Sequence, residues 1–231
     1  MPTPTDYLKN GALRTIEPVV AFLARNNVSP NAITTVGTLL TVAAGVVYGT
    51  GHIMTAGWLM AVTAFFDVVD GSVARRTGRS TAFGAFYDSS LDRVADGALM
   101  AGLTVFYATN PVHHNMYMMV VCLAGMVGTF LISYTRARAE SIGIDAKVGV
   151  MQRPERIVLL SAPQALFGLF WNGWVLMGIV ILLSVTAWIT AVQRIAFVYR
   201  STKHATAPPI RMVSDPPAKP ASISAPRRAQ S

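Results

Sequence analysis

The sequence predicts an all-α integral membrane protein, with six transmembrane helices preceded by an N-terminal amphipathic interfacial helix. Three observations lead there. Hydrophobic residues make up 52% of the 231 positions and charged residues only 13%, with a mean hydropathy of +0.45, above the apolar share of an ordinary soluble domain. Three runs, 26–66, 97–135 and 157–193, contain no charged residue over 41, 39 and 37 positions. Every Lys and Arg lies outside those runs, so the turn in the middle of each carries no cation.

One spanning helix takes about 20 apolar residues, so each run is long enough for two spans and a turn. Turn-forming residues sit near the middle of each: "GTGH" at 49–52, "TNPVHHN" at 109–115 and "FWNGW" at 170–174. The expected architecture is therefore three helical hairpins. The cations cluster before the first span, between the second and third, between the fourth and fifth, and after the sixth. By the positive-inside rule both termini and all charged loops face the cytosol, in an inner (cytoplasmic) membrane, and chemistry done by charged residues belongs to that face.

Residues 1–28 read as a cytosolic juxtamembrane segment, with apolar and basic residues at helical spacing over 4–26. They lack the apolar core and cleavage site of a signal peptide. Residues 29–200 form the six-helix domain, and 201–231, rich in Pro, Ser and Ala, read as a disordered cytosolic tail. The net charge of +8 flanks apolar spans instead of forming one soluble patch, which favours anionic membrane lipids and argues against nucleic acid as a partner. The lone Cys122 excludes a disulfide framework and a cysteine-ligated zinc site. His52, His113 and His114 fall in the turns of the opposite face.

The acids are the exception to this sparse charge. Five of eleven, Asp67, Asp70, Asp88, Asp92 and Asp96, lie within "FFDVVDGSVARRTGRSTAFGAFYDSSLDRVADG" at 65–97. Asp67 and Asp70 are spaced i,i+3, and Asp88 and Asp92 i,i+4, so each pair projects from one helical face. A short linker would hold the second and third spans as antiparallel neighbours, bringing the two pairs together. Four carboxylates around one point repel unless cations compensate. Arg75 and Arg93 could supply part of that charge. Hard divalent ions, Mg²⁺ or Mn²⁺, prefer oxygen ligands and suit such pairs better, and a two-metal carboxylate centre points to phosphoryl chemistry. Solvated helix ends are the plain alternative; two matched pairs around a Gly-Ala-Arg segment favour a site. Asp96 extends the Asp88 and Asp92 face by a turn and is divided between that cluster and a structural pairing with an Arg.

The residues Asp67, Asp70, Gly71, Ala74, Arg75, Gly84, Asp88 and Asp92 fill every fixed position of a pattern D-x2-D-G-x2-A-R-x8-G-x3-D-x3-D. In this the chain resembles the CDP-alcohol phosphatidyltransferase family, and the likeness extends over about residues 5–200. The resemblance implies a six-helix enzyme that transfers a phosphatidyl group from CDP-diacylglycerol to an alcohol and releases CMP, using two divalent ions. It implies that Asp67, Asp70 and Asp88 are metal ligands and that Asp92 is the catalytic base and also touches the second metal. Gly71, Ala74 and Arg75 correspond to contacts to the cytidine diphosphate, with Thr81 a weaker candidate. "SPNAIT" at 29–34 resembles the segment opening the first span near the nucleotide, which nominates Asn31 and Thr34; a helix cap by Ser29 or Asn31 is the competing reading. A homodimer is also implied by the family alone.

The remaining cytosolic segments, "SYTRARAESIG", "MQRPERI" and "VQRI", carry Arg136, Arg138, Arg153, Arg156 and Arg194. They resemble the corresponding segments of phosphatidylinositol-phosphate synthases, although Arg136 stands where some members carry Lys, which alters donor geometry. A phosphate monoester suits several Arg forks better than a neutral polyol does. The expected acceptor is accordingly inositol 1-phosphate, held by Arg136, Arg153 and Arg194, with Glu140 and Glu155 pairing with neighbouring Arg. A phosphatidylglycerophosphate synthase, which also takes a phosphorylated acceptor, is the rival within the same chemistry. An ion or proton transporter is the rival outside it, and would call for charges at mid-membrane depth on several spans.

Overall fold

A computed structural model describes residues 17–151 and 153–203. Among the described residues the regular secondary structure is all helical, with no strand. A short helix α1 covers 17–25. It is followed by α2 (Pro30–Gly49), α3 (Ile53–Thr77), α4 (Ala82–Thr109), α5 (Met116–Ser141), α6 (Arg153–Phe167) and α7 (Trp174–Thr202).

The boundaries follow local chemistry. Pro30 opens α2 at a position where its missing N–H costs nothing. Gly78, at φ +65°, ends α3 in the left-handed conformation, and the Arg79 N–H returns to the Ala74 carbonyl. The Thr81 side chain caps α4 by accepting from the Gly84 N–H, and Asn115 caps α5 by accepting from Met118. The three expected turns occur where the sequence puts them; in the third, Phe170–Gly173 form one 3₁₀ turn with Trp171 and Asn172 at positive φ.

Among the described residues, four helices are long and apolar enough to cross a membrane: α2, α3, α5 and the stretch Phe170–Thr202 that contains α7. Helix α4 is 28 residues long but carries Asp88, Asp92, Arg93 and Asp96 between its start and its middle. Helix α6 has 15 residues, about 22 Å against a hydrocarbon core of about 30 Å, and contains Pro163. The six long helices are present, but two of them lack the apolar length expected from the uncharged runs.

The helices close a ring in the order α2, α3, α6, α7, α5, α4. Helix α2 packs on both α3 and α4, which scarcely touch one another. This corrects the expectation that α3 and α4 are antiparallel neighbours. The reason lies at the α2–α4 seam: a Cβ on Gly102 would lie 1.9 Å from the Gly45 carbonyl oxygen, so these backbones meet directly and α2 occupies the place beside α4. On the other flank, a Cβ on Gly57 would come within 2.3 Å of the Ala165 nitrogen, which seats α6 against α3. The core between the helices contains Tyr48, Met60, Leu103, Phe106, Leu176 and Val180, and the Tyr48 hydroxyl donates to the Leu160 carbonyl.

Helix α1 is the described part of the expected interfacial helix; residues 1–16 and the tail from 204 lie outside the described residues. Val20 of α1 is buried against Ile33, Val69 and Val73, Glu17 pairs with Arg76, and Arg79 donates to the Asn27 side chain and carbonyl. These contacts fasten α1 to the end of α3 that carries the acidic pattern.

Candidate active site

Residues 71–77, expected to be a linker, continue α3 as helix, because Ala74, Arg75 and Arg76 are good helix formers and the break comes only at Gly78. Asp67, Asp70, Asp88 and Asp92 consequently lie about two to three turns inside the helices, about 9–15 Å from their ends, with Asp96 one turn deeper, and not at the boundary itself. They line a gap between α3, α4 and α6.

Asp70 is 9% exposed and accepts from the Thr34 hydroxyl at 2.7 Å; the Pro30 carbonyl lies 3.1 Å from the same hydroxyl. Asp67 and Asp92 face each other across the gap, and Arg153 bridges them. Its Nη1 is 2.7 Å from Asp67 Oδ2, its Nη2 is 2.9 Å from Asp92 Oδ1, and its Nε is 3.8 Å from Asp96 Oδ1. Arg93 adds a looser contact of 3.6 Å to Asp92. Asp88 is exposed and stands within electrostatic range of Asp67, Asp70 and Asp92.

Among the described residues, no three carboxylate, imidazole or thiol groups are drawn together tightly enough to hold one ion. The chemistry of the donor set nevertheless suits a hard divalent metal: four carboxylates from two helices lie within electrostatic range of one another, and a cation, Arg153, lies between two of them.

Below this layer is a second one. Arg156 Nη2 lies 3.5 Å from Asp96 Oδ2, and Arg156 Nη1 donates to the Thr129 hydroxyl at 3.3 Å. Both side chains are nearly closed to solvent, at 12% and 10% exposure. Asp96 thus takes the structural Arg partner that the sequence left open, and Arg156 proves to be that partner.

The residues nominated for the nucleotide lie along one end of the site. Asn31 is in the first turn of α2 and its amide oxygen faces Gly84. Ser29 makes no side-chain cap, so the capping alternative for this segment is not what the structure uses. Thr34 is engaged with Asp70 and Thr81 with Gly84, so both hydroxyls hold elements of the acidic motif in place. A Cβ on Gly71 would lie 3.3 Å from Arg75 Nη1, so the glycine leaves room for that guanidinium, with Ala74 beside it on α3.

The cations nominated for the acceptor come from three helices. Arg136, near the end of α5, is exposed and pairs with Glu140 at 2.9 Å, as expected for that glutamate. Arg194 of α7 donates to the Ile132 carbonyl at 2.6 Å and the Val148 carbonyl at 2.9 Å, which ties α5, the 142–151 segment and α7 together. It stands within electrostatic range of Arg136 and Arg156. Arg153, unlike these, is committed to the aspartates. His52, His113 and His114 are in the hairpin turns at the other end of the bundle.

Sequence reasoning missed three features: the Thr34–Asp70 bond, the Arg153 bridge and the Arg156–Thr129 contact. The spacing held a usable signal, since Arg153 and Arg156 are i,i+3 and could have been matched to Asp92 and Asp96 at i,i+4.

A ring of apolar helices around one cluster of acids and arginines defines a membrane-embedded transferase site. The chain belongs to the CDP-alcohol phosphatidyltransferase family, which matches residues 27–199. It is 36% identical over 190 residues to an archaetidylinositol phosphate synthase of Methanothermobacter thermautotrophicus, covering 82% of this chain and 91% of that one. It is 37% identical over 210 residues to a phosphatidylinositol phosphate synthase of Streptomyces avermitilis, covering 87% and 84%. The phosphatidylinositol phosphate synthase of Mycobacterium tuberculosis is similar in structure. Its crystal structure with CDP-DAG bound gives a TM-score of 0.73 at 30% identity, covering 80% of this chain and 94% of that chain. Its complex with manganese and citrate gives 0.72 at 31%, covering 79% and 88%.

Proposed function

We propose that the chain transfers a phosphatidyl group from CDP-diacylglycerol to inositol 1-phosphate, giving phosphatidylinositol phosphate and CMP. The observation that carries this reading is the joint placement of four pattern aspartates and the Arg136, Arg153, Arg156, Arg194 set around one end of the helix ring. The names of the two sequence relatives support the acceptor. They share inositol phosphate and differ in the lipid, archaetidyl in one and phosphatidyl in the other. Nothing favours glycerol 3-phosphate over it. The charges gather at one end of the ring instead of tracking through it, which disfavours a transporter.

In this reading Asp67, Asp70, Asp88 and Asp92 would hold Mg²⁺ or Mn²⁺, two ions per site; a relative's structure with manganese supports a divalent metal. When bound, such ions compensate the diphosphate and the charge that develops on the departing CMP. The chain's own residues do the rest. Gly71, Ala74 and Arg75 receive the cytidine diphosphate, with Asn31 beside Gly84. Thr34 and Thr81 position Asp70 and the start of α4. Arg136, Arg194 and Arg153 bind the acceptor phosphate and turn its inositol hydroxyl toward Asp92. That carboxylate takes the hydroxyl proton as the oxygen attacks the β-phosphorus. In this reading displacement is direct, with Asp92 taking the proton of the attacking hydroxyl and CMP leaving.

The membrane arrangement follows the same reading. All six helices α2–α7 cross the cytoplasmic membrane, α4 with its charges turned into the ring and α6 as a shortened span, and α1 rests on the cytosolic surface. Both termini and the site face the cytosol, and residues 29–200 act as one domain, as a homodimer.

The test is CMP release from purified protein given CDP-diacylglycerol with inositol 1-phosphate, glycerol 3-phosphate or free inositol. Release only with inositol 1-phosphate, abolished by EDTA and restored by Mg²⁺ or Mn²⁺, is the expected result. Equal rates with free inositol or with glycerol 3-phosphate would overturn the acceptor assignment.

A further inference from the structure

The bridge made by Arg153 has a consequence beyond pairing. It joins α3 to α4, two helices that scarcely touch, and it uses two of its donors on carboxylates assigned to metal ions. A guanidinium cannot ligate a metal and does not lose its proton, so it cannot share the space between Asp67 and Asp92 with a divalent ion. We propose that Arg153 is an exchangeable cation: it neutralises Asp67 and Asp92 until divalent ions arrive, is displaced by them, and is thereby freed to bind the acceptor phosphate.

The surroundings suit this exchange. Arg153 is the first residue of α6 and keeps 22% of its side chain exposed. One turn deeper, Arg156 fixes the same helix through Asp96 and Thr129. The helix can therefore stay in place while the Arg153 side chain turns. The groups facing that side chain are Asp67, Asp92 and Asp96, with Arg156 and Arg93 behind. A dication entering among the carboxylates attracts them more strongly than a monocation and repels the guanidinium. Arg194 stands within electrostatic range of Arg136 and of Arg156, which is one turn from Arg153 on α6, so an anion on that side would meet the freed guanidinium. Because the two ligands then act through one side chain, each must strengthen the other's binding by the same factor.

The proposal rests on the metal and acceptor reading given above, and the experiment separates the two. Mn²⁺ is titrated into the purified full chain in detergent, without CDP-diacylglycerol, and free Mn²⁺ is followed by its electron paramagnetic resonance signal. Arg153→Gln should bind Mn²⁺ about tenfold tighter than the parent, since no internal charged hydrogen bonds need breaking. Inositol 1-phosphate should tighten Mn²⁺ binding by the parent and leave that of Arg153→Gln unchanged. In EDTA, Arg153→Gln should melt below the parent, and saturating Mn²⁺ should close the gap. Unchanged or weaker Mn²⁺ binding by folded Arg153→Gln overturns the exchange, as does a melting gap that persists in Mn²⁺. If Arg153→Gln does not fold, Arg153→Lys, which keeps the charge but loses the two-pronged bridge, answers the same question by the same criteria. Asp67→Asn decides the underlying reading: unaltered Mn²⁺ affinity there removes the aspartates as the metal site, whereas Asp67-dependent binding with no gain in Arg153→Gln removes only the exchange.

Discussion

Asp92 and Asp96 stand one turn apart on α4, and Arg153 and Arg156 one turn apart on α6, yet the two layers they form differ in kind. The outer layer holds Asp67, Asp70, Asp88, Asp92 and Arg153 around a gap that solvent reaches. The inner layer is Asp96 with Arg156 and Thr129, nearly closed to solvent. In the outer layer charge is in excess on the acidic side, four carboxylates against one bridging guanidinium, which leaves it ready to receive further cations. In the inner layer a single acid, Asp96, meets Arg156 at 3.5 Å and Arg153 Nε at 3.8 Å, so acid is not in excess there. The same residue types thus serve binding or scaffolding according to depth and balance, as expected when unpaired buried charge is costly and paired buried charge is merely tolerated.

The sharpest way to break this comparison is Asp92→Asn. It should lower CMP release by a factor of about 10²–10⁴ with thermal stability kept, because it removes a proton acceptor and preserves shape. A rate above a few percent of the parent would remove Asp92 as the base. Next in size is Asp96→Asn, which should cost about 3–5 kcal/mol of stability by leaving Arg156 buried and uncompensated. The double variant Asp96→Asn/Arg156→Gln should recover part of that. Thermal unfolding in detergent measures both, and a loss of CMP release without loss of stability would put the inner layer into the chemistry.

Thr34→Val comes third. Loss of the hydroxyl that orients Asp70 should weaken Mn²⁺ binding about 10–100-fold, as removal of groups supporting a ligand generally does. Arg194→Ala should raise the acceptor KM about tenfold while leaving CDP-diacylglycerol affinity nearly unchanged; the reverse pattern would detach α7 from the acceptor. The smallest effect is expected away from both layers: Gly102→Ala forces α2 and α4 apart and should cost about 1–3 kcal/mol, read as a lower melting temperature.

Most of this arrangement is legible in the residue order. The uncharged runs mark the long helices and their turns, and the Asp spacing marks the acidic layer. What the spacing does not carry is which helices are neighbours. A close approach such as Gly45 with Gly102 depends on two glycines 57 positions apart meeting backbone to backbone, and no local periodicity announces it. The error over α3 and α4 came from treating a short connection as proof of contact, when a third helix can stand between both. For the same reason residue order does not assign the arginines individually: Arg153 and Arg156 meet the pattern acids, whereas Arg136 pairs with Glu140 and Arg194 with backbone carbonyls. Arg153, nominated for the acceptor phosphate, is found on Asp67 and Asp92.

The order of the ring also bears on how the protein is made. Chains are synthesised from the N-terminus, so the hairpins α2–α3 and α4–α5 emerge first and meet along the glycine seam. At that stage the acidic face is complete and lacks the bridge that Arg153 supplies. Helices α6 and α7 arrive last, insert between α3 and α5, and bring both Arg153 and Arg156 with them. The unfinished protein therefore carries a concentration of negative charge near a membrane until its final third docks. Completion of the fold and arrival of the guanidinium that bridges Asp67 and Asp92 are one event.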